Sequence, residues 1–300
     1  MTSILLATVT GLSLGAPLDP HDVASDATWI LHVDLERAFA SSLGALVVDP
    51  AQRKVTFGVE PDEALDTFKS DYGVDPLTDL HSVTMFGHGA DPREGVVLVK
   101  ANSTIGHLVT RFATPEHGHQ MVSIAGRDLH AWTQGGETHY VHVGGTGEDK
   151  RVLFSQSTSA LTEAIDVLEA GHASFEGTVA PSSGSIVYAM SIDPASLAKA
   201  GFQSNFLARM DSIVMDLGEE SGDAYARLSL TAPDADQAGQ MAGMAQGMLA
   251  VGRMMAPDDP RVREAMKILD AVSFDVDGRD VRISCTCPAS KLKSLMQDDD

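Results

Sequence analysis

Cysteine is almost missing from this chain. Cys285 and Cys287 are its only two, so no disulfide framework can staple the fold, and stability has to come from a packed core. Basic residues are also short, with 21 Lys and Arg against 42 Asp and Glu for a formal charge of −21. Such a surface repels phosphate backbones and anionic lipid headgroups, which argues against nucleic acid as a partner. Catalytic signatures are missing too. There is no Walker loop, no G-x-G-x-x-G turn and no H-E-x-x-H helix, so no cofactor is implied. Long apolar runs are absent from the body of the chain: the longest, Ala238 to Gly252, contains Gln240 and Gln246. It falls short of the ~20 residues a spanning helix needs, so no membrane span is expected in the mature chain.

What is present suits a folded protein. Of 300 residues, 43% are hydrophobic, enough for one large core or two ordinary ones and too many for a disordered chain. The first sixteen residues carry no charged side chain, and Ile4 to Ala16 has the length of a signal-peptide core. Residues 1–16 therefore read as a signal peptide with its cut in Leu14-Gly15-Ala16, or later near Ala24 or Ala27. No Lys or Arg precedes the run and Pro17 follows the cut. A buried first strand is the other reading.

Three short matches recur in the same order. Leu31-His32-Val33-Asp34-Leu35 parallels Met190-Ser191-Ile192-Asp193-Pro194, and Ser82-Val83-Thr84-Met85 parallels Ser212-Ile213-Val214-Met215. Ser123 to Leu129 parallels Asp275 to Val281, sharing Gly-Arg-Asp. Such ordering points to an internal duplication. A first copy spans 27–171 with an insert at about 45–78, a linker covers 172–184, and a second copy spans 185–297. Alternation and turn signals predict the shared order β-α-β-β-α-β-β-α. The fold class is α+β, two diverged copies with mainly antiparallel sheets and helices packed on one face. The first copy gains an extra hairpin about Gly135-Gly136, and the insert a strand at Lys54–Val59 and a helix from Pro61 to Tyr72. Ser159 to Glu163 resembles a capping box opening the helix 158–170.

Candidate sites are few. Ser196-x-x-Lys199 and Ser290-x-x-Lys293 fit S-x-x-K, though a serine capping a helix explains each as well. Gly144 to Lys150 is glycine-rich but joins two strands where a phosphate loop would open a helix. His117, His119, His130, His139 and His142 fall close together, and a two-residue turn at Gly135-Gly136 places Trp132 opposite His139 with His130 diagonal to it. His117, His119, His130 and His139 are thus candidate metal ligands, with solvated strand histidines as the simpler reading and no metal expected. Asp275, Asp277 and Asp280 lack the spacing of a calcium loop. Cys285 and Cys287 point to one face of a strand as a thiol pair.

The most distinctive segment is a helix over 234–256. Gly239, Gly243 and Gly247 recur every fourth residue, beside a stripe of Met241, Met244 and Met248. Glycine costs about 1 kcal/mol against alanine in a helix, so the glycine face is expected against another backbone. Methionine suits adaptable apolar contacts, which makes Met241, Met244 and Met248 candidate ligand contacts.

Phe68 to Gly87 and Trp29 to Leu35 resemble segments of uncharacterised exported bacterial proteins with an N-terminal signal peptide and a duplicated α+β module. The resemblance implies export and brings no site residues. The expected function is a non-enzymatic binding or accessory protein of the bacterial envelope, periplasmic or extracellular, with an apolar ligand or a protein partner. A hydrolase with a site assembled from non-contiguous residues is the alternative.

Overall fold

A computed structural model describes residues 15–42, 44, 61–113, 118–170, 175, 180–199, 209–255 and 260–297. Most of the expected signal peptide and the strand at Lys54–Val59 lie outside the described residues. The first part of the chain contains β1 (Trp29–Asp34), α1 (Leu35–Ala40), α2 (Pro61–Tyr72), β2 (Leu80–Gly87), β3 (Val96–Ala101), α3 (Ile105–Phe112), β4 (Gln120–Ile124), β5 (Arg127–Gln134), β6 (Glu137–Thr146), β7 (Asp149–Ser155) and α4 (Thr158–Ala170). The second contains β8 (Ser185–Ser191), α5 (Pro194–Lys199), β9 (Ser212–Glu220), β10 (Asp223–Thr231), α6 (Ala235–Met255), α7 (Pro260–Leu269), β11 (Ser273–Asp277), β12 (Asp280–Pro288) and α8 (Ala289–Gln297). Helix α4 starts at Thr158, as expected, but its cap lies two residues ahead of the expected capping serine. Ser157 Oγ accepts from the Ala160 amide at 3.3 Å, so Ser157 and not Ser159 serves the first-turn donors.

All twelve strands form one antiparallel sheet in the order β11-β12-β10-β9-β8-β1-β2-β3-β7-β6-β5-β4. The two halves meet where β1 pairs with β8, Trp29 facing Ser191 and Val33 facing Val187. Outward from that joint the order repeats: β1, β2, β3 on one side and β8, β9, β10 on the other. Each half ends in a hairpin at an outer edge. In β4–β5 the closing pair is Ile124 and Arg127, with Ala125 at φ 52° and Gly126 at φ 78° in the turn. In β11–β12 it is Asp277 and Asp280, with Gly278 at φ 59°. Gly126 is thus the second turn residue and Gly278 the first, and β7, not β5, occupies the place beside β3 that β12 takes beside β10.

Helices cover both faces of the sheet, in contrast to the single covered face expected. Leu129, Leu98 and Leu153 pack with Leu161 and Ile165 of α4. Val152, the neighbour of Leu153 and so on the opposite face, packs with Ile105 of α3. The reason is legible in β7, whose consecutive Val152, Leu153 and Phe154 put apolar side chains on both faces. Beyond the joint, Leu230 and Val281 pack under Ala238, Met241 and Ala242 of α6, on the α3 side.

The α4 face carries a buried polar patch at the joint, roofed by residues 15–27. His32 is 3% exposed. Its Nε2 donates to the Ala16 carbonyl at 3.1 Å, which leaves Nδ1 to accept from Thr84 Oγ1 at 2.9 Å. Burial pushes the imidazole down from 6.5 to about 4, with nearby Lys100 adding to the effect and Asp34 opposing it. Asp22, also buried, pairs with Lys100 and with Arg151 at 3.3 Å. Two cations around one carboxylate compensate its loss of water.

Helix α6 departs from expectation. Among the described residues, a Cβ at Gly239, Gly243 or Gly247 would meet nothing within 4 Å, so the glycine face is open there. The helix lies instead on Ala238, Met241 and Ala242, and Arg253 ties its far end to the Leu269 carbonyl and Asp270. No described helix is long and apolar enough to cross a membrane.

Gly243→Ala should raise stability by up to about 1 kcal/mol, because the position is open and alanine is the better helix former; urea titration measures it, and Gly243→Leu should not destabilise. For His32, the unfolded chain takes up a proton below its ordinary 6.5 while the folded chain resists until about 4. Stability supplied by the neutral ring is complete above pH 6.5 and falls between those values, by about 3 kcal/mol in all. Unfolding midpoints from pH 7 to 4 should show this decline, and it should flatten in His32→Met.

Candidate ligand cleft

On the α3 and α6 side, four neighbouring strands align one row of side chains. Val187 of β8 faces Leu217 of β9, Leu217 faces Ala226 of β10, and Ala226 faces Cys285 of β12. Ala224 and Cys287 pair one step along, on the same face. Alternation along β10 places Leu228 and Leu230 at its other end, where they fill the space beneath α6. The two alanines leave theirs empty.

The result is an open apolar cleft of about 460 Å³. Its floor is the Val187 to Cys285 row, and its walls are Ala38 and Ser41 around α1, Ile268 of α7 and Leu292 of α8. Both halves of the chain contribute. Among the described residues its lining holds no charged side chain. The volume lies within the range of small-molecule sites, ~300–1,000 Å³.

Both cysteines in the cleft are free thiols, with Cys287 buried and Cys285 half-buried. Burial raises both above the usual thiol range, and Cys285 Sγ reaches the Ile268 carbonyl at 3.5 Å. A thiol held protonated is a poor nucleophile. The pair therefore acts as small apolar lining.

The methionines named from the sequence separate. Met241 is buried against Leu230 and Val281, whereas Met244 and Met248 are 60% and 70% exposed. None of the three lines the cleft. Of the candidate metal ligands, His119 and His130 do meet, Nε2 to Nδ1 at 3.0 Å. Burial and the neighbouring His119 and His142 push His130 downward. His139 faces Trp132 across the hairpin and lines a separate hollow with it, and His117 lies outside the described residues. Among the described residues no three His, Cys, Asp or Glu groups are placed to hold a metal.

Ser196 is buried and donates to the Asp193 carbonyl at 2.8 Å and to Asp193 Oδ2 at 3.0 Å, which commits its hydroxyl to the start of α5. Ser290 is exposed at the start of α8. The glycine-rich stretch from Gly144 forms the tight β6–β7 turn, with Lys150 Nζ donating to the Gly145 carbonyl at 3.1 Å. Asp277 and Asp280 close the β11–β12 hairpin.

The cleft was missed in the sequence because its walls come from α1, α7 and α8, which are distant along the chain. One signal was available. Small Ala224 and Ala226 precede large Leu228 and Leu230 at alternate positions of a single strand.

No protein-family profile matches the sequence, and no curated protein matches it significantly. Among solved structures, the chain is similar to three crystal forms of TP0453, a Treponema protein. Form IV aligns at 10% identity over 94% of this chain and 98% of that one with a TM-score of 0.49. Form III aligns at 12% identity over 94% and 97% with a TM-score of 0.45, and form I at 11% over 94% and 97% with 0.42.

Proposed function

We propose that this chain is an exported, non-enzymatic binding protein of the bacterial envelope whose ligand is a small apolar molecule held in the cleft over β8, β9, β10 and β12. The observation that carries the reading is the cleft itself, a hollow between α1, α7 and α8 that is uncharged among the described residues, in a chain of charge −21. An apolar ligand entering it exchanges water contact for alkyl and thiol contact, at about 25 cal/mol for each Å² removed from water. The protonated thiols and a lining without charged groups among the described residues suit holding a ligand better than transforming it. Export rests on the uncharged apolar start of the sequence. We further propose that the two halves descend from one duplicated module, a reading supported by the mirrored order β1-β2-β3 and β8-β9-β10 about the joint. Under that reading the first half gained a hairpin, and its edge turn slipped by one residue.

The test uses a neutral fluorescent apolar probe, N-phenyl-1-naphthylamine. The protein should bind it with a rise in fluorescence, and the probe should slow alkylation of Cys285 by iodoacetamide. Ala226→Trp fills the floor and should weaken binding on the order of tenfold or more, a loss of at least about 1.4 kcal/mol. Unchanged binding in an Ala226→Trp variant that retains its circular dichroism would overturn the assignment.

A further inference from the structure

Asp34 closes β1 with a side chain that is fully buried, at 0% exposure. Its Oδ1 accepts from the Arg37 amide at 2.9 Å. Its Oδ2 accepts no hydrogen bond among the described residues. The nearest cation, Arg37 Nε, stands 3.8 Å away, and the guanidinium of that residue donates to the Ser183 and Ser185 carbonyls. Opposite Asp34 on β2, Ser82 Oγ is likewise buried with no hydrogen-bond partner among the described residues. A carboxylate oxygen shut away from water without a donor is costly, and the cost is largest when the group is charged.

The chain segment above this oxygen is Gly15-Ala16. Gly15 sits at φ +132°, and a Cβ there would stand 2.6 Å from Asp34 Oδ2. The Ala16 nitrogen is one peptide link further on, so it lies within about 6 Å of the same oxygen. From Ala16 onward the segment is built into the fold: its carbonyl holds His32, Leu18 packs on the core, and Val23 is fully buried. The apolar run of the N-terminus ends at this point.

We propose that the mature chain begins at Ala16, and that its new α-ammonium docks on Asp34 Oδ2. A leader peptidase hydrolyses the Gly15–Ala16 bond: the C–N bond breaks, water gives its hydroxyl to the Gly15 carbonyl carbon and a proton to the Ala16 nitrogen. Gly15 then loses its carboxyl proton, and the amine takes one up to become an ammonium. Ser13 and Gly15 supply the small residues at the third and first positions before the cut, as leader peptidases require. The cut after Ala16 expected from the sequence would place Pro17 first and remove the carbonyl that His32 holds. An ammonium brings three donors to an oxygen that accepts no hydrogen bond among the described residues and has only the Arg37 guanidinium, at 3.8 Å, as a cation, in the way that pockets capture free N-termini.

This inference rests on the export reading, and its test separates the two. Protein recovered from an exporting bacterial host is weighed intact. Retention of Met1 overturns export and this inference together, while a mature terminus other than Ala16 overturns this inference and leaves export standing. Chains starting at Ala16, and the same chains extended by Gly-Ser, are then melted in wild-type and Asp34→Asn backgrounds. Extension should lower the folded-to-unfolded ratio on the order of tenfold or more in the wild type, as expected for stranding one member of a buried pair, and should change nothing in Asp34→Asn. An equal effect in both backgrounds, or none in either, overturns the docking. Should Asp34→Asn fail to fold, acylation of the Ala16 amine by an N-hydroxysuccinimide ester decides: native protein should react at least tenfold more slowly than urea-unfolded protein, and equal rates overturn the docking.

Discussion

The pairing of β1 with β8 is the constraint on which the rest of this molecule depends. Without it each half would expose a row of unpaired backbone groups along its first strand, at the position where apolar Ile30 and Met190 face each other. With it, twelve strands become one sheet, whose edges among the described residues are the outer hairpins. The acidic Asp275 and Asp277 of β11 blunt one of them. The cleft depends on the joint directly, since Ala38 comes from the first half and the Val187 to Cys285 floor from the second.

The same joint concentrates buried polar groups. His32, Thr84 and Tyr188 stand side by side across β8, β1 and β2, and burial assisted by Asp216 pushes the Tyr188 hydroxyl up to about 12. Such groups contribute little net stability, because each hydrogen bond mainly offsets lost hydration. Their effect is on specificity. His32 accepts Thr84 on one side and holds the Ala16 carbonyl on the other, so the entering chain lies across the sheet in one arrangement.

The apolar surfaces divide into two kinds. At the cleft, alanine and cysteine make a concave hollow with walls on several sides. On α6 the buried contact ends after its first two turns, and Met254 and Met255 stand 86% and 78% exposed. Four glycines, at 239, 243, 247 and 252, lie open along that helix. Helix propensity works against such a sequence, so its length is maintained by the packing of Ala238, Met241 and Ala242 and by the Arg253 anchor.

Local order was written in the sequence. Alternation along Leu80–Gly87, the glycine pair of the β5–β6 turn and the apolar periodicity of Thr158–Ala170 each depend on residues a few positions apart, and these elements stand where the pattern places them. The α+β class and antiparallel pairing follow from that order through tight turns. The sequence could not determine which strands meet across long separations. Joining β1 to β8 and seating β7 beside β3 depend on summed burial over both sheet faces, and the helices cover both because β7 is apolar on each side. The direction of α6 was misjudged for the same reason: spacing every four residues defines a stripe on a helix, but only the tertiary contacts decide whether that stripe meets protein or water. The cleft and the buried Asp34 belong to this second class, since each arises where segments far apart in the chain leave an apolar space or an oxygen unfilled.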